Sequence, residues 1–99
     1  MYTIIERRTI NPAKADETAA RGQREFFPKM QKAPGFNSFY LIPDTEQGVF
    51  TAIIVWGSKE QAEAFRPEGE SWGKVLDADG HTHLSFNAGE TAIQVEPAK

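Results

Sequence analysis

Cysteine is absent from the 99 residues, so neither a disulfide nor a thiolate zinc site is available and the fold must rest on packing; a reducing cytoplasm is the expected compartment. No run of about 18 apolar residues is present to span a bilayer. The opening Tyr2-Thr3-Ile4-Ile5 passes directly into Glu6-Arg7-Arg8 rather than into the apolar stretch of a secretory signal. A soluble protein with no membrane partner is expected. Positive charge is not in excess either: 11 basic against 14 acidic side chains give a net charge of −3, which argues against nucleic acid as a partner. The glycine-rich phosphate loop, the nucleophile elbow and the dinucleotide fingerprint are all missing, as are short-period repeats and low-complexity stretches.

What remains is one small domain over residues 1–99, able to bury roughly two-thirds of its unfolded surface. Its charge is unevenly spread. Residues 1–35 carry a net of +3 and residues 36–99 a net of −6, which suits the docking of two copies and equally suits a solvated helix face.

Two proline marks, Asn11-Pro12 and Pro34-Gly35, separate a strand, a helix and a strand. The first strand covers about Tyr2–Ile10. Asn11 is a good N-cap and Pro12 a good first helical residue, so the helix is predicted to begin there. Its predicted inward stripe is Ala15, Ala19, Gln23, Phe26 or Phe27, Met30 and Ala33, with a kink at Pro28. Phe36, Ser38, Tyr40 and Ile42 then share one face of a second strand, and Asn37, Phe39 and Leu41 the other. A polar turn, Asp44–Gly48, leads into the nearly all-apolar Val49–Trp56. Ser58-Lys59-Glu60-Gln61 is a capping box for a second helix with Ala62, Phe65, Trp72 and Leu76 inward, which Pro67 and Gly69 are expected to break in two. Asp79-Gly80 ends it, His81–Gly89 reads as a loop or short extended piece, and Thr91–Val95 as the last strand. The order is βαββαβ, an α+β class. Because the strands carry apolar residues on both faces, the second sheet face is expected to be covered by another subunit or to lie over a pocket.

The first strand closing in Asn11-Pro12-Ala13-Lys14, the stretch Arg24 to Phe36 with its Pro34-Gly35-Phe36, and Ile53 to Ala62 with Trp56-Gly57-Ser58 together resemble the antibiotic biosynthesis monooxygenase family over nearly the whole chain. The resemblance implies a ferredoxin-like subunit with an antiparallel four-stranded sheet. Two subunits would pair as a homodimeric α/β barrel with a pocket between sheet and helices in each. It implies a cofactor-independent monooxygenase acting on a small aromatic or hydroquinone-like compound whose anion reacts with oxygen. His81-Thr82-His83 with Asp77 and Asp79 is the most metal-like cluster in the chain, but no further ligand is anchored nearby and no metal is expected. Relatives that degrade haem use an asparagine, a tryptophan and a histidine where this chain has Arg7, Phe65 and Val75 or Leu76, so haem degradation is disfavoured.

Such a pocket needs apolar walls and a few donors where phenolate charge grows. Phe26, Tyr40, Phe65, Trp72 and Leu76 are candidate walls, and Arg7 or Arg8, Asn37, Tyr40, the Trp72 indole and His81 or His83 are candidate polar groups. From these, His83, Arg7 and Trp72 are taken as the catalytic set, and Phe26, Asn37, Tyr40, Phe65, Trp72 and Leu76 as the substrate-binding set. Arg7 and Arg8 point to opposite faces, and the parity of the strand decides which enters the pocket. The competing class is a non-catalytic protein that binds a small apolar ligand or simply assembles. A cavity on which a base and a donor converge favours the enzyme; Phe26, Phe65 and Trp72 packed on one another favour the alternative.

Overall fold

Antiparallel pairing of the first and third strands decides which residues of this molecule face inward. The structure, a computed structural model, describes residues 1–98. Strand β1 (Tyr2–Thr9) pairs with β3 (Val49–Trp56) in unbroken register, from Tyr2 opposite Trp56 to Thr9 opposite Val49. Strand β2 (Phe36–Asp44) lies outside β3 and β4 (His83–Glu90) outside β1, giving the antiparallel order β2-β3-β1-β4. Between β1 and β2 run α1 (Ala15–Arg21), a π-helical turn (Gly22–Phe26) and α2 (Phe27–Lys32); α3 (Lys59–Ala78) joins β3 to β4. This is the expected ferredoxin-like α+β architecture.

Trp56 and Met30, each 1 % exposed, centre a core shared with Phe26 and Ala62, against which Tyr2, Ile4, Phe39 and Ile54 pack. All the helices therefore cover a single sheet face, the one carrying the even-numbered residues of β1 and β3.

Several local expectations are corrected. Asn11 does cap, its Oδ1 accepting from Ala13 N–H at 3.2 Å, but it caps an isolated turn and the helix begins at Ala15. The buried stripe of the first helical segment is Thr18, Gly22, Phe26 and Met30, while Ala19 and Gln23 are exposed. These four-residue steps fit the wider π turn, in which Phe27 N–H donates to Gly22 O just before Pro28, a residue with no N–H to give. Helix α3 starts as predicted, Ser58 Oγ accepting from Gln61 N–H at 3.2 Å, yet it runs unbroken through Pro67 and Gly69. Ala62 in the core, Phe65 against Trp56, Trp72 stacked on Phe26 and the buried Leu76 anchor its inner face on both sides of the lost backbone hydrogen bond. A register shift at Asn37 turns Phe36 away from Ser38, Tyr40 and Ile42 and onto the helical face, edge-on to Trp56 at 5.8 Å.

The last strand is His83–Glu90, not Thr91–Val95, whose Ile93 and Val95 are more than four-fifths exposed. On the helix-free sheet face Tyr40 and Ile42 are half exposed beside Ile5, Ile53 and Val55. No helix among the described residues is long and apolar enough to cross a membrane.

The Pro34-Gly35 reversal requires glycine. Gly35 has φ +83°, donates no side chain, and its carbonyl accepts from Gly57 N–H at 2.7 Å; a Cβ there would fall 2.8 Å from Gln61 Cβ and closer still to its carboxamide. Gly48, in the β2–β3 turn, has φ +69° with open space around it. Gly48→Ala is therefore expected to cost about 1–2 kcal/mol from the left-handed conformation alone, and Gly35→Ala clearly more, in urea unfolding of both variants; equal losses would show that the Gln61 contact does not matter.

Candidate functional site

Between the sheet and the helices lies an open cavity of about 870 Å³, within the range typical of small-molecule sites. Its floor is the inward face of the sheet, with Ile4, Glu6 and Arg8 from β1 and Phe50, Ala52 and Ile54 from β3. Its apolar end is an aromatic wall. Trp72 stacks on Phe26 (centroids 5.2 Å apart, planes 7° from parallel), Phe26 meets Phe65 at 5.8 Å, and Phe65 meets Trp56 at 5.1 Å. The Trp72 indole N–H makes no hydrogen bond within the protein and is not sealed from solvent.

The opposite end is polar and is organised by Arg8, only 5 % exposed. Its Nε donates to Glu6 Oε1 at 2.6 Å, and its Nη1 to Asp77 Oδ1 at 2.7 Å and to His81 O at 2.8 Å. Glu6 precedes it by two on the same strand face, and Asp77 reaches it from the last turn of α3. The guanidinium lies under that helix at Gly73, where a Cβ would meet Nη2 at 3.4 Å, an ordinary contact distance. Burial, the largest single influence, acts to lower the Arg8 pKa, but the hydrogen bonds and charges of Glu6 and Asp77 together outweigh it and the net direction is upward. Arg8 thus stays a cation throughout the working pH range; the stabilisation tied to its raised pKa is complete below the ordinary arginine range and is lost only above it.

His81 is buried just behind this cluster. Its Nδ1 accepts from Asn11 N–H at 3.1 Å, so the ring is the neutral form with its proton on Nε2, which lies 3.0 Å from Thr18 Oγ1. The Thr18 hydroxyl in turn donates to Asp79 Oδ2 at 2.6 Å. Both ring nitrogens are committed to holding the chain entering α1 against the end of α3, and neither is free for proton transfer. Asp77 and Asp79 each hold one hydrogen bond through a single carboxylate oxygen, and no group of three or more His, Asp or Glu that could hold a metal exists among the described residues.

Of the residues singled out from sequence, the structure gathers Phe26, Phe65, Trp72 and Leu76 around the cavity. Arg7, Asn37, Tyr40 and His83 are exposed and do not line it. For Arg7 and Tyr40 the reason is strand parity: Arg7 pairs with Thr51 and Tyr40 with Ile53, on the helix-free face. Arg8 takes the inward position instead, and its partner Glu6 was not singled out, although opposite charges two apart on one strand were a visible signal.

No family model matches the chain, and no curated protein sequence does. Solved structures are similar over nearly its whole length. A protein from Deinococcus radiodurans, described as a putative antibiotic biosynthesis monooxygenase, superposes with a TM-score of 0.72 at 16 % identity, covering 100 % of both chains. One of the same description from Nitrosomonas europaea gives 0.72 at 12 % identity, covering 94 % of this chain and 100 % of its own. A monooxygenase from Streptomyces coelicolor, in complex with the ligand nanaomycin D, gives 0.75 at 13 % identity, covering 98 % and 92 %.

Arg8→Ala would strand the Glu6 carboxylate in a largely buried position, whereas Asp77 has a side chain 64 % exposed and readily turns to water. The expected cost is about 2–3 kcal/mol for Arg8→Ala and under about 1 kcal/mol for Asp77→Asn, both by urea unfolding; the reverse order would contradict this placement of the charges. The fold of this chain is that of the antibiotic biosynthesis monooxygenase structures.

Proposed function

We propose that this protein is a cofactor-independent monooxygenase that takes a small aromatic or hydroquinone-like compound into the cavity between sheet and helices. The observation that carries the reading is the cavity itself: aromatic at the Phe26–Trp72 end, polar at the Glu6–Arg8 end, and large enough for a fused-ring compound. The shared fold supports it, since the monooxygenase from Streptomyces coelicolor was solved with nanaomycin D bound.

In such a reaction a phenol is deprotonated and its electron-rich anion reduces oxygen directly. One oxygen atom enters the ring as a new carbonyl and the other leaves as water. The substrate supplies all four electrons, so phenol and O2 give quinone and water without an external reductant. The protein's part is to orient the ring against the aromatic wall, to exclude bulk water and to hold the developing oxyanion at Arg8.

A non-catalytic ligand-binding or assembly protein is the second reading, favoured by the mutual packing of Phe26, Phe65 and Trp72. These rings form one wall and leave the cavity beside them open, which is why the enzyme reading is preferred. We further propose that a second copy of the chain covers the helix-free face, where Ile5, Ile42, Ile53 and Val55 form an apolar surface unusual for a sheet in water.

Two measurements test these proposals. Oxygen-electrode assays over a panel of hydroquinones and fused-ring phenols, with crystals soaked in the same compounds, are expected to give oxygen uptake and ring density beside Trp72; neither across the panel would end the enzyme reading. Light scattering at micromolar concentration is expected to give a dimeric mass that Ile42→Lys reduces to the monomer, and a monomeric wild type would refute the second copy.

A further inference from the structure

Three polar atoms at this end of the cavity have no partner in the protein: Arg8 Nη2, Glu6 Oε2 and Asp77 Oδ2, the last on a side chain 64 % exposed and bound to the other edge of the guanidinium. Arg8 has five N–H donors; one on Nε and two on Nη1 are used, and Nη2 makes no hydrogen bond. Glu6 accepts only through Oε1, leaving Oε2 without a bond. No buried side-chain nitrogen or oxygen lacks a partner among the described residues, so Nη2 and Oε2 are open to space, and Arg8 and Glu6 line the cavity. Nη2 is the terminal nitrogen on the same edge of the guanidinium as the Nε–H bound to Glu6. A ligand oxygen that accepts from the Nη2–H on that edge lies beside the Glu6 carboxylate.

We infer that Glu6 and Arg8 form a proton-abstracting dyad, Glu6 Oε2 as the base and Arg8 Nη2 as the donor to the oxygen left behind, and that the ligand enters as a neutral phenol rather than as an anion. This rests on the cavity being a binding site for aromatic compounds, as proposed above. The charge count gives the selectivity. Glu6 and Asp77 already outnumber Arg8, and over the whole cavity five carboxylates face three cations. A preformed anion adds a further like charge to this net negative site. A neutral phenol does not. When its proton passes to Glu6, the carboxylate becomes neutral as the phenol becomes phenolate, so the O–H bond breaks, an O–H bond forms on Glu6, and the net charge of the site is unchanged. The new anion then sits against Arg8 with one fewer carboxylate competing for the guanidinium. His81, with both nitrogens engaged, cannot substitute as the base.

The test uses 4-nitro-1-naphthol, whose absorbance distinguishes phenol from phenolate, and 1-naphthoate as a ring of similar shape with a fixed negative charge. At a pH where free nitronaphthol is mostly neutral, wild-type protein is expected to bind it and raise its phenolate fraction, and to bind naphthoate at least about tenfold more weakly, the effect of one like charge at close range. Glu6→Gln keeps an acceptor for Arg8 Nε and so keeps the fold; with no carboxylate to take the proton, any phenolate it binds is expected to form with release of a proton to the buffer, whereas wild type is expected to form bound phenolate with none. Arg8→Lys, checked for folding by circular dichroism, is expected to reduce the phenolate signal and is read only alongside Glu6→Gln. Proton release to the buffer by wild type equal to that by Glu6→Gln, or naphthoate binding as tightly as nitronaphthol, overturns the dyad while leaving the aromatic-binding reading intact. Binding of neither ring compound to wild type overturns both.

Discussion

A guanidinium taken out of water must find carboxylates and carbonyls to meet it, and in this protein that requirement ties the two ends of the chain together. Arg8 on the first strand reaches Asp77 at the end of α3 and the carbonyl of His81 beyond it, while His81, Asn11, Thr18 and Asp79 interlock just behind. Removing the cation would leave Glu6 without its counter-charge and loosen the junction between the start of α1 and the end of α3. The same cation gives the cavity its only strongly buried charge, so stability and any chemistry at this end of the site draw on one group.

The opposite end of the cavity is built on different physics. There Trp56, Met30, Phe26 and Ala62 exclude water by packing, and the Phe26–Trp72 stack forms the wall that separates this core from the open space. A ring compound held between an apolar wall and a polar end is oriented by both: dispersion fixes the plane of the ring and the dyad fixes where its oxygen lies. This division explains how a chain of 99 residues accommodates so large a cavity without an unpaired buried polar atom among the described residues.

Much of the architecture was legible because local chemistry and tertiary structure agree. Pro34-Gly35, Ser58 with Gln61, the apolar run Val49–Trp56 and Asp79-Gly80 each sit where turn, cap, central strand and helix end were expected. The failures share one cause, contacts remote in sequence. His83-Leu84-Ser85-Phe86-Asn87-Ala88-Gly89-Glu90 has little β propensity and is a strand because β1 offers it hydrogen-bond partners, whereas Thr91–Val95 has the better alternation and no strand beside it. Pro67 did not break α3, because Ala62 and Phe65 before it and Trp72 after it are tied into the aromatic core. The choice between Arg7 and Arg8 depended on parity, which only the pairing of Tyr2 with Trp56 supplies. Once that parity is known, Glu6 and Arg8 replace Arg7 and His83 as the polar groups facing the cavity.

Arg8 alone among the five arginines is a buried cation held by three hydrogen bonds, with Nη2 left unbonded in a residue that lines the cavity. Nitrogen-15 NMR of the arginine side chains tests it directly. One guanidinium is expected whose Nε–H exchanges slowly with water and whose terminal nitrogens are resolved by hindered rotation, with Nη2 shifting most when a fused-ring phenol is added. Five arginines that all exchange rapidly, or a slow one that ignores the ligand, would contradict it.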